Sequence, residues 1–270
     1  MSTIGFVTHP RPEARAVADE AASWLAGEGH RVWHSGSDEP RPDLDLAVSV
    51  GGDGTMLRTV DLVASSDVPI LGVNVGHLGY LTRVEPSGLR LALERFLTGE
   101  YTVESRMTLE VTVTSVGERP PARSFALNDA VIQRTAPGHT VHVGLSTNAG
   151  PFIDYAADTL IVATPTGSTA YNLSARGPIL SPGLRALVFT PVAPHLLFDR
   201  SLVLDAGDCL HLTVLDGRQA ELVVDGQTLG VLQSGDRVDC RAGGHDARLV
   251  SFAEQDFLGI LKAKFGLPDR

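Results

Sequence analysis

Gly51-Gly52-Asp53-Gly54-Thr55 stands between an apolar run and a helical pattern. At such a place the unpaired N–H groups and dipole of a helix start attract an anion, and glycines let a phosphate approach the backbone. Asp53 does not suit binding alone, because a carboxylate repels a polyphosphate. It suits a group that takes a proton from an attacking hydroxyl or holds a metal. The same pentapeptide also reads as a plain turn in which Asp53 or Thr55 caps the helix. Arg58, five residues beyond Asp53, is either a cation roughly one and a half helical turns along or a solvated surface side chain.

A second segment, LIVATPTGSTAYNLSA over 160–175, ends a strand pattern at Pro165. Thr166-Gly167-Ser168-Thr169 then offers hydroxyls and N–H groups at a helix start, and Tyr171 offers a flat face for a base. This set suits a phosphate, a ribose or an adenine edge without a cation; a capped helix with a buried Tyr is the plainer alternative. Asn128-Asp129 interrupts the apolar pattern of SFALNDAVIQR. An Asn can bond an adenine edge and a carboxylate can accept both ribose hydroxyls, while an Asx turn uses the same pair structurally. Asp158 precedes the LIVAT run, and Asp225-Gly226-Gln227 reads first as a hairpin turn. His139 and His195 read as structural or surface residues. None of the nine histidines has an HxxE pattern, and there is no GxSxG.

The elements that must position these residues follow from periodicity. Strand patterns at 4–8, 31–33, 44–50 and 69–75 alternate with helical patterns at 13–26, 56–64 and 89–97, with a turn at 51–55. The alternation predicts a parallel sheet with right-handed crossovers. From Tyr101 onward LEVTVT, SFALNDAVIQR, TVHVGLS, TLIVAT, ALVFTPV, SLVLD, LHLTVL and AELVVDG follow one another, which predicts a β-rich second domain. Its single helical candidate is 170–175, and 257–265 (FLGILKAKF) closes the chain as an amphipathic helix.

Composition excludes several classes. The 270 residues are 43% hydrophobic and 20% charged, which is globular and not disordered. A net charge of −10 is the wrong sign for gripping nucleic acid or an anionic membrane. Of the 22 basic residues only Lys262 and Lys264 are lysines, so a GxxxxGK[ST] phosphate loop is excluded. Cys209 and Cys240 lack metal-ligand spacing and read as buried reduced thiols, so a protein-borne zinc site is not expected. No apolar stretch approaches the ~18 residues that span a bilayer, and MSTIGFVTHPRPEAR has no leader pattern, so a cytoplasmic location is expected.

GGDGT at 51–55, NVGHLGYL at 74–81, LND at 127–129, TPTGSTAYNLSA at 164–175, TPVAPH at 190–195 and DGQ at 225–227 occur in an order and spacing that resemble the ATP-dependent NAD kinase family along nearly the whole chain. Diacylglycerol and sphingosine kinases and phosphofructokinases share related glycine-rich motifs; TPTGSTAYNLSA separates NAD kinases from them. The resemblance implies the NAD kinase/diacylglycerol kinase-like fold: an α/β N-terminal domain with a Rossmann-like parallel sheet, and an all-β sandwich C-terminal domain. The expected division is 1–100 and 101–245, with 246–270 returning to the first domain.

The resemblance implies Mg²⁺-dependent transfer of the terminal phosphoryl group of ATP, or of polyphosphate, to the 2′-hydroxyl of the adenosine ribose of NAD. Mg²⁺ is carried by the donor and no metal is held by the protein. Asp53 resembles the catalytic base; Gly51, Gly52, Gly54, Thr55 and Arg58 would face the donor. Asn128 and Asp129 match the pair holding adenine and ribose, and Asp158 the acid on the nicotinamide side. Thr166, Thr169, Ala170, Tyr171, Asn172, Leu173 and Ser174 match the nucleotide-lining segment, and His139 and Gln227 nucleotide contacts. A homodimer or homotetramer with no nucleic-acid or membrane partner is implied. The departures are Ala156, Ala157-Asp158-Thr159 and Arg176-Gly177; they bear on NAD against NADH and ATP against polyphosphate. A non-catalytic NADP-binding paralogue and a lipid or sugar kinase on the same fold are the alternative classes.

Overall fold

The computed structural model describes residues 1–76, 79, 81–82, 84–116, 122–215, 218–252 and 257–267. His77, Leu78 and Tyr80 of the 74–81 motif, and parts of the C-terminal segment, lie outside the described residues. Two compact units divide the chain: Met1–Ser105 with Ala247–Arg270, and Arg106–Asp246.

In chain order the elements begin with β1 (Thr3–Thr8), α1 (Pro12–Gly27), β2 (Arg31–His34), β3 (Leu46–Gly51), α2 (Asp53–Val63), β4 (Pro69–Asn74), α3 (Leu89–Leu97) and β5 (Thr102–Arg106). Next come β6 (Leu109–Thr114), β7 (Ala122–Ala126), β8 (Asp129–Arg134), β9 (Val141–Thr147), β10 (Gly150–Ala157) and β11 (Thr159–Ala163). A 3₁₀ turn at Gly167–Thr169 leads to α4 (Tyr171–Ser174), followed by β12 (Ala186–Val192), β13 (Leu202–Asp205), β14 (Cys209–Val214), β15 (Ala220–Val224), β16 (Gln227–Leu232) and β17 (Arg237–Ala242). The chain closes with β18 (Ala247–Ser251) and α5 (Phe257–Phe265).

The first unit is built on a sheet of order β2-β1-β3-β4-β18-β5, parallel from β2 through β18. Every residue of β3 is buried, because it lies between β1 and β4 with both faces covered; hence its nearly continuous apolar run, interrupted by Ser49. Ala14, Ala18, Ala21, Ala22 and Leu25 form the helical stripe that α1 lays on the sheet, and Leu89, Ala92 and Leu93 do the same for α3. The chain runs from β1 outward to β2 and then crosses to β3 on the other side of β1. This reversal makes the carboxyl ends of β1 and β3 the switch point where ligands collect in open α/β sheets. One boundary departs from expectation: α2 starts at Asp53, inside the predicted turn, with Gly52 extended as N-cap and the acidic Asp53 favoured by the helix dipole.

The second unit has two antiparallel sheets among the described residues, β10-β9-β14-β17-β6-β7 and β13-β12-β11-β8-β15-β16. Alternate residues of both, among them Val111, Leu145, Leu212 and Val238 from the first and Ile132, Leu160, Phe189 and Leu222 from the second, share one core; the unit is therefore a sandwich. The second sheet is also covered outside, where Leu180, Ala186 and Val188 pack on Val131, Ile161 and Ala163. The helix expected over 170–175 is the single turn of α4, entered from the 3₁₀ turn at Gly167–Thr169 and ended by the left-handed Arg176.

Candidate functional site

In the first unit the candidate residues gather at the switch point. The N–H of His9 donates to the Val50 carbonyl (2.9 Å) and that of Val75 to the Gly51 carbonyl (3.0 Å), so the Gly-Gly-Asp-Gly-Thr turn is tied to the ends of both neighbouring strands. The Leu81 N–H donates to Asp53 Oδ1 at 3.1 Å. A Cβ on Gly79 would fall 2.0 Å from that same oxygen, so only glycine leaves room for the carboxylate. Arg58 donates to the hydroxyl of the buried Thr55 at 3.4 Å. Beside them lies a cavity of about 650 Å³ lined by Gly52, Gly54, Thr55, Arg58, His9 and Arg11, with Val75 and Gly76. His9 and Arg11, not singled out from the sequence, come from the β1–α1 turn; their signal is two basic residues directly after the first strand.

In the second unit Asp225 sits at φ 46° and Gly226 at φ 76°, the type I′ pattern of a two-residue hairpin. The hairpin reading of the sequence stands, and the carboxylate does more than turn the chain. It accepts the N–H groups of Leu127 (2.7 Å), Asn128 (2.8 Å) and Asp129 (3.1 Å). On the opposite side Thr164 donates to the Leu127 carbonyl at 2.5 Å and accepts from the Gly167 N–H at 3.0 Å. A Cβ on Gly167 would meet the Asn128 carbonyl oxygen at 2.0 Å. Asn128-Asp129, the 3₁₀ turn, α4 and the start of β16 at Gln227 are thereby brought to one end of the β8–β11–β15 group.

Asp129 is buried, and burial pushes its carboxyl up to about 7; the neighbouring Asp225 charge adds to this and the Tyr171 N–H opposes it. A carboxyl raised from 3.8 to about 7 binds its proton more tightly folded than unfolded. Its burial is uncharged at low pH, and the penalty grows from pH ~4 to pH ~7 and is level above. Relative to Asp129→Asn, the wild type is expected to lose roughly 2–4 kcal/mol of stability across that window. Urea unfolding of both proteins between pH 4 and 8 checks it; a pH-independent difference overturns the assignment.

Tyr171 is 40% exposed, so its ring is available and not buried as the plainer reading had it. Thr166 is buried and receives a hydrogen bond from Arg106 at 3.4 Å, while Thr169 donates to the Thr166 carbonyl. Ala170 and Leu173 are half-buried and Ser174 exposed. Asn172 is fully buried; its amide donates to the Ser168 and Pro178 carbonyls and accepts from Thr190 at 2.7 Å. Its side chain holds the segment together from inside.

Asp158 and His139 are not part of this cluster. β8 and β11 are antiparallel with Ala163 opposite Asp129 and Thr159 opposite Gln133, which puts Asp158 at the far end of the strands, roughly 15 Å away at ~3.3 Å per residue. There Asp158 accepts from Arg134 at 3.0 Å, and Arg134 reaches the His139 carbonyl at 3.5 Å.

Arg176, one of the departures noted above, has φ 63°. The Arg176 N–H donates to the Leu173 carbonyl and the Gly177 N–H to that of Asn172, the Schellman ending of α4 in which glycine normally takes the left-handed position. Arg176→Gly is expected to remove about 1 kcal/mol of strain and raise Tm by about 2 °C. Calorimetry showing an unchanged or lower Tm would contradict this.

A family model described as ATP-NAD kinase C-terminal domain matches residues 127–252, and one described as ATP-NAD kinase N-terminal domain matches residues 33–101. The chain belongs to the ATP-NAD kinase family. It is 40% identical over 279 aligned positions to an NAD kinase of Heliobacterium modesticaldum, covering 98% of each chain. It is 38% identical to an NAD kinase of Syntrophotalea carbinolica with both chains covered completely. The fold is also that of yeast NADH kinase complexed with NADH (TM-score 0.88, 22% identity, 100% of this chain and 89% of that one). An NAD kinase from Archaeoglobus fulgidus in complex with ATP shares it too (TM-score 0.73, 24% identity, 97% of each chain).

Proposed function

We propose that the chain transfers the terminal phosphoryl group of ATP to the 2′-hydroxyl of the adenosine ribose of NAD, giving NADP. What carries the reading is 40% identity over 98% of the chain to a protein named NAD kinase. An anion-suited pocket beside a fixed carboxylate and a separate nucleoside-suited cluster, both in this chain, support it. Asp53 takes the proton of the attacking hydroxyl, help worth roughly 10²–10⁴-fold. Gly51, Gly52, Gly54 and Thr55, with Arg11 and Arg58 as cations, hold the donor phosphates. Asn128 and Asp129 take adenine and ribose, and Thr166, Thr169, Ala170, Tyr171, Leu173, Ser174 and Gln227 line the nucleotide. Asn172 is a positioning residue. Asp158 is kept for the nicotinamide side and His139 for a nucleotide contact.

The cavity wall presents His9, Arg11 and Arg58 and, among its described lining residues, no carboxylate. That set suits a polyphosphate and not a bare cation, so Mg²⁺ or another divalent ion belongs to the donor. When bound it neutralises charge on the transferred group. A cytoplasmic location and a homodimer or homotetramer are part of the same proposal. Free Cys209 and Cys240 support the first, and light scattering tests the second; among the described residues no helix is long and apolar enough to cross a membrane.

The deciding experiment incubates the purified chain with NAD, Mg²⁺ and either ATP or polyphosphate, and reads NADP with an NADP-specific dehydrogenase. NADP formation is expected, and the faster donor settles that choice. No NADP with either donor, despite saturable NAD binding, replaces the reading with a non-catalytic NADP-binding protein.

A further inference from the structure

Away from these residues, on the other sheet of the sandwich, β14 and β17 pair with His211 opposite Asp239 and Cys209 opposite Arg241. Leu210, Leu212, Val238 and Cys240 point into the core, so Cys209, His211 and Asp239 share the outer face. Their ligand atoms lie within 4.8 Å of one another, the one such group of three among the described residues. Cys209 is half-buried and not buried as expected from sequence.

We propose that Cys209 Sγ, His211 Nδ1 and Asp239 form a binding site for a borderline-soft divalent cation of the Zn²⁺ class, with a fourth position open to solvent. The donor set of one thiolate, one imidazole and one carboxylate is the mixture that such ions take and that Mg²⁺ does not. Two ligands at Zn–S ~2.3 Å and Zn–N ~2.0–2.1 Å in a tetrahedron stand about 3.6 Å apart. Cys209 Sγ and His211 Nδ1 are 3.6 Å apart.

The position is held by an internal cation. Arg237 Nε donates to Asp239 Oδ1 at 2.6 Å, and Arg237 Nη2 lies 2.7 Å from His211 Nδ1. The same Nδ1 is 2.6 Å from Asp239 Oδ1. No tautomer satisfies both neighbours. With a proton on Nδ1 the ring donates to Asp239 and turns that N–H on Arg237. With Nδ1 bare it accepts from Arg237 and faces the carboxylate oxygen with a lone pair. A cation reached by Nδ1, Oδ1 and Sγ together removes the conflict once Arg237 swings out and the Asp239 carboxylate turns to widen its 2.6 Å approach to Nδ1 to the ~3.4 Å of a tetrahedral pair. Arg237 is nearly half exposed, so its ion pair is a weak surface one and its displacement is easy. Arg241 does not compete, because it is committed to Glu110 at 2.7 Å.

The test uses the full chain, stripped with EDTA and titrated with Zn²⁺ against a chromogenic chelator, and with Cd²⁺ for thiolate-to-metal absorption. Expected is one ion per chain with a dissociation constant of 10 μM or tighter, and a Cd²⁺–thiolate band. Cys209→Ser should bind at least tenfold more weakly and lack the band, and Asp239→Asn should also weaken binding. Arg237→Gln should bind at least threefold more tightly, since it removes the competitor. Mg²⁺-supported NADP formation should be unchanged in Cys209→Ser, which also reports that the variant is folded. The proposal is overturned if the wild type binds no stoichiometric ion, if Cys209→Ser binds as well as wild type, or if Arg237→Gln binds no more tightly.

Discussion

Asp53→Asn is expected to lower kcat at least a hundredfold while the dissociation constant of NAD changes less than threefold. Asn keeps the shape of the side chain, and its oxygen still accepts the Leu81 N–H that now holds Oδ1 at 3.1 Å. The loop at Gly79, packed against that oxygen, therefore stays where it is. What disappears is the capacity to take a proton, and a ribose hydroxyl without a base is a poor nucleophile. Because phosphoryl transfer leaves the protein positioning and charge stabilisation, little else compensates. Single-turnover kinetics together with NAD titration separate the two effects; a variant retaining more than a tenth of wild-type kcat would dismiss Asp53 as the base. Gly79→Ala gives an independent check, since its Cβ would stand 2.0 Å from Asp53 Oδ1. With the carboxylate intact but pushed aside, kcat should fall tenfold or more, because a misplacement of an ångström costs about 10²-fold. Equal kcat in Gly79→Ala would show that the position of the carboxylate is unimportant.

The sequence announces the two sites unequally. The α/β layout is legible because period carries it: β3 is a nearly continuous apolar run between two neighbours, and α1 repeats alanine at helical spacing. The sandwich is legible in Val141–Thr147 and Cys209–Val214, which alternate buried and half-buried residues. The doubly covered strands β8, β11 and β12 carry no alternation, and nothing local says that Leu180 will lie over Ile161.

Contacts that depend on register escape the sequence altogether. Asp225 reads as a turn residue because the 96 to 98 residues separating it from the N–H groups it accepts leave no spacing signal. Cys209 and His211 show no metal pattern because the third ligand, Asp239, arrives by strand pairing. Asp158 and Asp129 look like neighbours in a motif list, whereas the antiparallel run of β8 and β11 carries them to opposite ends. His9 and Arg11 become visible only when the switch point between β1 and β3 is known, since the topology and not the tripeptide makes that turn a candidate for binding a ligand.

Asp225→Ala is expected to destabilise the chain by roughly 3 kcal/mol and to raise the KM for NAD tenfold or more, with a smaller change in kcat. The carboxylate accepts three consecutive N–H groups, and stranding partly buried donors costs about 1–3 kcal/mol for each group that finds no water. Alanine at φ 46° adds left-handed strain of about 1 kcal/mol. The backbone released carries Asn128 and Asp129, the residues proposed to take adenine and ribose. Asp225→Asn distinguishes a clamp from a mere hairpin requirement. Asn tolerates positive φ, so a turn-only role predicts no loss, whereas a clamp predicts an intermediate loss because one amide oxygen replaces two carboxylate oxygens. The same variant removes the charge that helps hold the Asp129 carboxyl near 7. The pH window over which Asp129 costs stability should therefore contract from its upper end. Urea unfolding at several pH values and KM measured on both variants read these effects together. A wild-type KM and an unmoved pH window in Asp225→Asn would reduce Asp225 to a turn residue.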